Sequence, residues 1–316
     1  MPPDPTVPDP RIHATLARLA GLEARARGFD FLPRQPVGSA LSGRRASRLR
    51  GRGLEFEELR AYLPGDDVRA IDWKVTARAG SPHVRVTRVE RDRPALILVD
   101  QRQSMFFGTV LNMKSVTAAE IAALAAWRIL GQGDRVGGMV LSDTGAAAIP
   151  ARRARSAATR LLDLVADRSL ALSAEAPVVP DAAARLNETL RRAAGIVTHD
   201  WLLLVVSDFD GADDDTLRIL TGIARGNDII LALVHDPSAH ETPTTGRMVV
   251  GDGTLQVELD FAAPRVRQNL AAVGGDRLKR LLAWQEHLDA AILPISAGEP
   301  TIPQILHLFG APPRRR

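Results

Sequence analysis

Ala95-Leu96-Ile97-Leu98-Val99-Asp100 is an unbroken apolar run of strand length that ends on a carboxylate. A strand with one wet face alternates apolar and polar residues. This one carries nothing polar before its last residue, so it reads as a strand covered on both faces, the habit of parallel sheets packed between helices. Four more runs share the pattern: Arg135–Leu141, Leu202–Val206, Ile229–Val234 and Ala291–Ile295. Between them the apolar spacing lengthens to that of helices, expected over Ser115–Leu130, Arg153–Arg168, Asp181–Ala194, Asp213–Ala224 and Asp276–Ala290. Strand–helix alternation of this kind predicts an α/β domain with a doubly wound, mostly parallel sheet. Ala146–Ile149 follows the Arg135 strand after one short turn and is expected antiparallel beside it. A hairpin is expected over Arg247–Leu259, turning at Gly251-Asp252-Gly253. In such a sheet the ligand crevice lies at the carboxyl ends of the strands, where the strand order reverses.

Upstream of Pro94 the pattern differs. Met1–Pro10 holds five prolines and lacks both a basic n-region and an apolar h-region, so it reads as a disordered tail and not a signal peptide. Arg11–Arg27 is helical, with Ile12, Leu16 and Leu19 on one face, and a Pro- and Gly-containing linker runs to Gly43. Arg44, Arg45, Arg48, Arg50 and Arg52 form a basic run. Leu54–Leu59 reads as a strand, Pro64-Gly65-Asp66-Asp67 as a turn, and Val84 with Val86 as part of a second strand. Residues 44–93 therefore make a small, charged, β-rich unit ahead of a main domain at 94–310, with a basic tail at 311–316.

The composition is that of an ordinary globular protein: 316 residues, 45% hydrophobic, 25% charged, formal charge +4. Positive charge is nearly all arginine, since lysine occurs only at Lys74, Lys114 and Lys279. No cysteine is present, which excludes disulfides and thiolate metal sites. No apolar run approaches the roughly 18 residues of a membrane span, and a cytoplasmic, soluble protein is expected.

Two carboxylates occupy the expected crevice. Asp100 closes one central strand, and Asp208 follows another after Ser207, with the hydroxyls of Ser104, Ser115 and Thr117 as neighbouring oxygens. Hard cations such as Mg2+ or Mn2+ take oxygen ligands of this kind; Asp also caps loops and helix starts routinely. No Gly-Lys pair exists for a P-loop, no third glycine for a dinucleotide fingerprint, no Gly-x-Ser-x-Gly elbow and no His-Glu-x-x-His. Ser207-Asp208-Phe209-Asp210-Gly211 resembles the start of a haloacid-dehalogenase phosphatase, in which the first Asp is nucleophile and the second general acid. That motif belongs on the first strand of its domain, whereas here several strands and helices precede it. The Arg44–Arg52 run suits phosphates but has no interleaved aromatics to stack bases, so a solvated loop or a face for an acidic protein fits it better than nucleic acid.

Gly53-Leu-Glu-Phe56, then Leu59-Arg60-x-Tyr62-x-Pro64-Gly65-Asp66-Asp67-x-Arg69-x-Ile71-Asp72-Trp73, then Ala77-Arg78, form the most distinctive block of the chain. Together with Glu90-Arg91, Ser104-Met105, Ser207-Asp208-Phe209 and Leu308-Phe309-Gly310, it resembles the domain of unknown function 58 family from His13 to Gly310. The resemblance implies a von Willebrand factor A-like fold with a small β-rich unit inserted before the first sheet strand. It implies no established catalysis. It does imply work beside a MoxR-type AAA+ ATPase, as an adaptor or assembly factor, with other von Willebrand factor A proteins as further partners. It also implies a metal-ion-dependent adhesion site of pattern Asp-x-Ser-x-Ser, with a Thr and a later Asp. Asp100, Ser104 and Asp208 match that pattern, Arg102 stands where a ligand Ser belongs, and no Thr loop is marked, Thr189 lying inside a helix. The expectation is a degenerate site in which the Arg102 guanidinium neutralises the carboxylates in the cation's place. Within the block, Asp66, Asp67 and Asp72 are expected to cap a turn and pair with Arg60, Arg69 and Arg78, over anchors Tyr62, Ile71 and Trp73. That network would fasten the β unit to the sheet or offer a docking surface.

Overall fold

The computed structural model describes residues 8–28, 54–63, 66, 68–89, 93–176, 182–239, 247–251, 256–260, 279–281, 283–284, 287–288 and 290–309. The chain divides into two compact units, Arg34–Asp92 and the rest, Met1–Pro33 with Arg93–Arg316. The larger unit begins with a short helix, α1 (Leu16–Gly21), and a 3-10 turn, Glu23–Gly28. The expected long helix over Arg11–Arg27 is thus two shorter pieces, the first capped by the Thr15 hydroxyl.

In the smaller unit, β1 (Leu54–Ala61) and β2 (His83–Val89) pair antiparallel, from Leu54 opposite Val89 to Ala61 opposite His83. Between them lie a 3-10 turn, Val68–Ala70, and α2 (Trp73–Ala79), a helix that the turn-rich composition does not suggest. Its ends are nevertheless written in the sequence. Asp72 is the N-cap, its Oδ1 accepting from the backbone N–H groups of Lys74 and Val75 at 3.1 and 3.2 Å. Gly80 closes the helix at φ 71°, a left-handed conformation that glycine adopts without a Cβ penalty.

The larger unit is built on β3 (Pro94–Asp100), β4 (Arg135–Ser142), β5 (Gly145–Arg152), β6 (Leu202–Ser207) and β7 (Asp228–His235). A separate hairpin pairs β8 (Arg247–Gly251) with β9 (Gln256–Asp260), where a hairpin was expected, and β10 (Ala290–Ser296) completes the sheet. The order is β10-β7-β6-β3-β4-β5, parallel throughout except for β5, which lies antiparallel on β4 at the edge. The apolar strands stand within a residue or so of their expected limits. The helices are α3 (Lys114–Gly131), α4 (Arg155–Leu170), α5 (Ala182–Ile196), α6 (Asp214–Ala224) and α7 (Thr301–Phe309). The helix expected over Asp276–Ala290 is described as helical only at 279–281 and 283–284, and it ends short of Ala290, which opens β10.

The unbroken apolar strands divide into two cores by period two. Ala95, Ile97, Val99, Leu204, Val206, Ile230 and Ala232 face one core, filled by α3 and α4. Leu96, Leu98, Leu203, Val205, Ile229 and Leu231 face the other, filled by α5 and α6 through Leu186, Leu190, Leu220 and Ile223. Every residue of β3 is buried, which is why no polar residue interrupts it. The two bare positions of β4 serve close approach: a Cβ on Gly138 would stand 2.4 Å from Leu161 Cδ1 and 2.9 Å from the Ile97 carbonyl oxygen.

Both chain-terminal segments of the described structure join the first core. Ala14, Leu19, Leu22 and Ala26 pack there, the Trp127 indole N–H donates to the Leu19 carbonyl at 3.0 Å, and Ala14 N–H donates to Ser169 Oγ at 2.9 Å. The opening segment, residues 8–28 as described, thus packs as part of the larger unit. Helix α7 is not among the helices expected from the sequence. Pro303 sits in the first turn of the helix, where a missing N–H costs nothing, and Ile305 carries α7 into the core. Among the described residues, no helix is long and apolar enough to cross a membrane. The Arg44–Arg52 run and the 311–316 tail lie outside the described residues, as do residues 1–7, Pro64, Gly65 and Asp67.

Candidate functional site

The strand order reverses between β3 and β6: the chain runs from β3 outward to β4 and β5, then returns to the other side of β3 for β6, β7 and β10. The carboxyl ends of β3 and β6 thus flank the switch point of the sheet. Asp100 is the last residue of β3, and Asp208 follows the last residue of β6, so topology brings together the two carboxylates singled out in the sequence.

Both are buried, Asp100 at 0% exposure and Asp208 at 2%. A carboxylate in that setting requires a compensating charge. Arg102, also 0% exposed, turns back onto Asp100. Its Nε donates to Oδ1 and Oδ2 at 3.0 and 3.1 Å, its Nη2 to Oδ2 at 2.7 Å, and its backbone N–H to Oδ1 at 3.0 Å. Nη2 also donates to the Asp210 carbonyl at 3.1 Å and stands 4.0 Å from Asp208 Oδ1. Burial pulls the guanidinium's pKa down, but the charge and hydrogen bonds of Asp100, aided by Asp208 and Asp210, outweigh it and hold the group above its ordinary value. The second cation is one that the sequence reading missed. Lys114, the first residue of α3, reaches Asp208 Oδ2 with its Nζ at 2.6 Å.

The loops hold the acids in place. Ser207 Oγ donates to Asp100 Oδ2 at 2.6 Å and accepts from Phe209 N–H at 2.8 Å. Asp208 Oδ1 accepts from Asp210 N–H at 3.0 Å. Phe209, buried at the centre of this turn, has φ 54°, a strained conformation for a bulky residue that the surrounding bonds and packing maintain. Gln101 extends the sheet by donating its N–H to the Leu141 carbonyl at 2.7 Å, and its side-chain amide ties β3 to α3 through the Ser115 carbonyl at 2.9 Å. Gln103 N–H donates to the Asp143 carboxylate at 2.7 Å; burial holds the Asp143 pKa above its ordinary value.

Mg2+ requires near-octahedral oxygen coordination, and Mn2+ likewise takes oxygen ligands. Ser104, in the turn after β3, and Ser115 and Thr117, at the start of α3, each bury a hydroxyl oxygen with no hydrogen-bond partner among the described residues. The carboxylates that would carry such an ion are engaged otherwise: both oxygens of Asp100 with Arg102, and those of Asp208 with Lys114 and Asp210. Two positive groups stand where the ion's charge would. This arrangement does not fit a divalent ion. Among the described residues, no group of three or more His, Cys, Asp or Glu side chains is placed to hold one. Thr189 lies within α5, away from any such loop.

The distinctive block of the smaller unit is separate chemistry. Arg60 grips Asp66 through two bonds of 2.8 Å, Nη1 to Oδ2 and Nη2 to Oδ1, and Asp66 Oδ2 also accepts from Leu63 N–H at 2.8 Å. This fork, with the backbone bond, lowers the Asp66 pKa to about 2. Asp72 serves as the cap of α2. Tyr62 and Ile71 are half-buried, Ile71 bridging to Val84. Trp73 is not an anchor: it is 69% exposed, because it opens α2 on the face that carries Lys74, Ala77 and Arg78 outward. Arg69 is exposed in the 3-10 turn.

A family model described as a protein of unknown function, DUF58, matches residues 58–279. Uncharacterized proteins of Mycobacterium bovis and Mycobacterium tuberculosis are 31% identical over 253 residues, 79% of this chain and 77% of theirs. Among solved structures, the conserved hypothetical protein BatB from Bacteroides thetaiotaomicron aligns with 68% of this chain and 94% of its own, at 14% identity and a TM-score of 0.38. A von Willebrand factor type A protein from Catenulispora acidiphila aligns with 70% of this chain and 42% of its own, at 9% identity and a TM-score of 0.33. With a family model spanning most of its length and relatives above 30% identity over most of both chains, this chain belongs to the DUF58 family.

Proposed function

We propose that the chain is a non-enzymatic protein-interaction module, an adaptor or assembly factor that works with a MoxR-type AAA+ ATPase in the cytoplasm, where ATP is at hand. The observation that carries the non-enzymatic reading is the self-neutralised switch point. Its acids are buried and bonded to the chain's own cations, so neither is free to take a proton or attack a substrate. A phosphatase centred on Asp208 and Asp210 needs Asp208 as an open nucleophile, and at 2% exposure, with both oxygens engaged, it is not one. The absence of a P-loop from the sequence suits a protein whose energy source is its partner.

The surface for that partner is the outer face of α2. Trp73 and Ala77 stand one turn apart, beside Lys74 and Arg78, which are also one turn apart. A largely exposed tryptophan next to cations is the composition of an interface anchor. The described carboxylates nearest in sequence, Asp66 and Asp72, are turned to Arg60 and to the helix cap. The matching partner surface is apolar and acidic. Calorimetric titration of the full chain with the ATPase tests both levels. Micromolar binding by the parent, weakened at least tenfold by Trp73→Ser and by Lys74→Glu/Arg78→Glu at unchanged melting temperature, is expected. Binding unaffected by these substitutions would move the interface elsewhere. No binding by the parent chain, with Mg2+-dependent hydrolysis of a phosphate ester that Asp208→Asn abolishes, would replace the module with an enzyme.

A further inference from the structure

We infer that Lys114 is the resident cation of the switch point and that, together with Arg102, it makes the site independent of divalent metal. The inference rests on geometry and charge, and it stands whatever the partner is. Two carboxylates buried on neighbouring strand ends must be protonated, bound to metal or paired with cations supplied by the chain. Here they are paired: Asp100 with Arg102, Asp208 with Lys114, two negative charges against two positive ones.

The position of Lys114 argues that this pairing is its purpose. It is the first residue of α3, where the helix dipole is positive and disfavours a cation. Lysine is almost never buried without a partner, yet Lys114 is 8% exposed, in a chain whose positive charge is otherwise nearly all arginine. Both penalties are offset by the contact with Asp208 at 2.6 Å, and the Phe107 ring lies 5.9 Å from the ammonium as one wall of its site. An ammonium is a compact point charge, so it fills the place of a single ion. A divalent ion added here would bring two more positive charges beside Arg102 and Lys114, and would first have to displace Lys114 from Asp208. It follows that no partner carboxylate is held here through a bridging metal, and chelation leaves association unchanged.

The test is a Mn2+ titration of the full chain by electron paramagnetic resonance, with melting temperatures in EDTA and in Mg2+. For the parent chain no Mn2+ binding tighter than about 1 mM is expected, and the two melting temperatures coincide. The double variant Arg102→Ser/Lys114→Ser strips both cations and leaves the two buried acids without them. It should be destabilised in EDTA, bind Mn2+ at least tenfold more tightly than the parent, and melt higher as Mn2+ rises. If that variant is not recovered folded, Lys114→Gln is measured in its place and should show the same direction of change. Micromolar Mn2+ binding by the parent, lost in Asp208→Asn, would overturn the inference. So would a double or single variant that is as stable as the parent in EDTA and indifferent to Mn2+.

Discussion

Replacing Asp100 by Asn keeps the shape of the side chain and removes the charge that Arg102 folds onto. In the native chain, the Asp100 oxygens receive the Arg102 Nε at 3.0 and 3.1 Å, its Nη2 at 2.7 Å, and the Ser207 hydroxyl at 2.6 Å. An amide retains one acceptor oxygen and turns its NH2 toward groups that are themselves donors. Arg102 cannot respond by reaching water, since it is 0% exposed, nor by losing its proton. Its contacts with the Asp210 carbonyl at 3.1 Å and with Asp208 at 4.0 Å, an acid already paired with Lys114, do not replace that charge. Stranding a buried charge in this way costs about 3–5 kcal/mol, a large part of the roughly 5–15 kcal/mol that holds a domain folded. At about 2–4 °C per kcal/mol for a unit of this size, the melting temperature should fall by about 6–20 °C. Urea unfolding followed by circular dichroism, on Asp100→Asn, Arg102→Met and the double variant, measures the effect. Each single change strands the other partner, so the double variant should cost less than the sum of the two by at least about 2 kcal/mol. A loss under about 1 kcal/mol for Asp100→Asn, or strict additivity, would refute the buried pair as the structure draws it.

Two further outcomes concern other parts of the molecule. Gly138→Ala places a Cβ 2.4 Å from Leu161 Cδ1 and 2.9 Å from the Ile97 carbonyl oxygen, so the urea midpoint should fall by the equivalent of about 1–3 kcal/mol, and Gly138→Ala/Leu161→Ala should cost less than the sum of the two single changes. Asp66, whose pKa the Arg60 fork lowers to about 2 from 3.8, contributes stability to the smaller unit that is fully present above pH 3.8 and is lost as pH falls through about 2. A carboxyl titration by NMR should find that low midpoint, and Arg60→Met should return it to near 3.8; an ordinary midpoint in the parent chain would remove the fork.

Much of the sheet was readable because each strand is a nearly unbroken apolar run, and such runs are tolerated only where both faces are covered. Period two then assigned alternate residues to opposite cores, as Ile97 and Leu98 show. Helices α2 and α7 were harder to see. The Pro-Gly-Asp-Asp turn stands just before α2 and hides its short helical pattern, and α7 is a short helix with Pro303 in its first turn. Only Asp72 and Gly80, as cap residues, pointed toward α2. The exposure of Trp73 was hidden because an aromatic residue's burial depends on which way a two-turn helix faces. Lys114 was overlooked as a counter-ion because it lies 94 residues before Asp208 in the chain, and no local pattern links them.

By itself the sequence determined the strands, most of the helices, the family, and the two carboxylates at the ends of β3 and β6, because backbone preference and burial act over a few residues at a time. Arg102 was legible too, two residues from Asp100, as the group that would close the site. The tertiary structure decided what those charges do to one another. Coulombic pairing depends on distance in space, and only the fold sets the start of α3 against the end of β6, so that Lys114 meets Asp208 where an ion would otherwise stand.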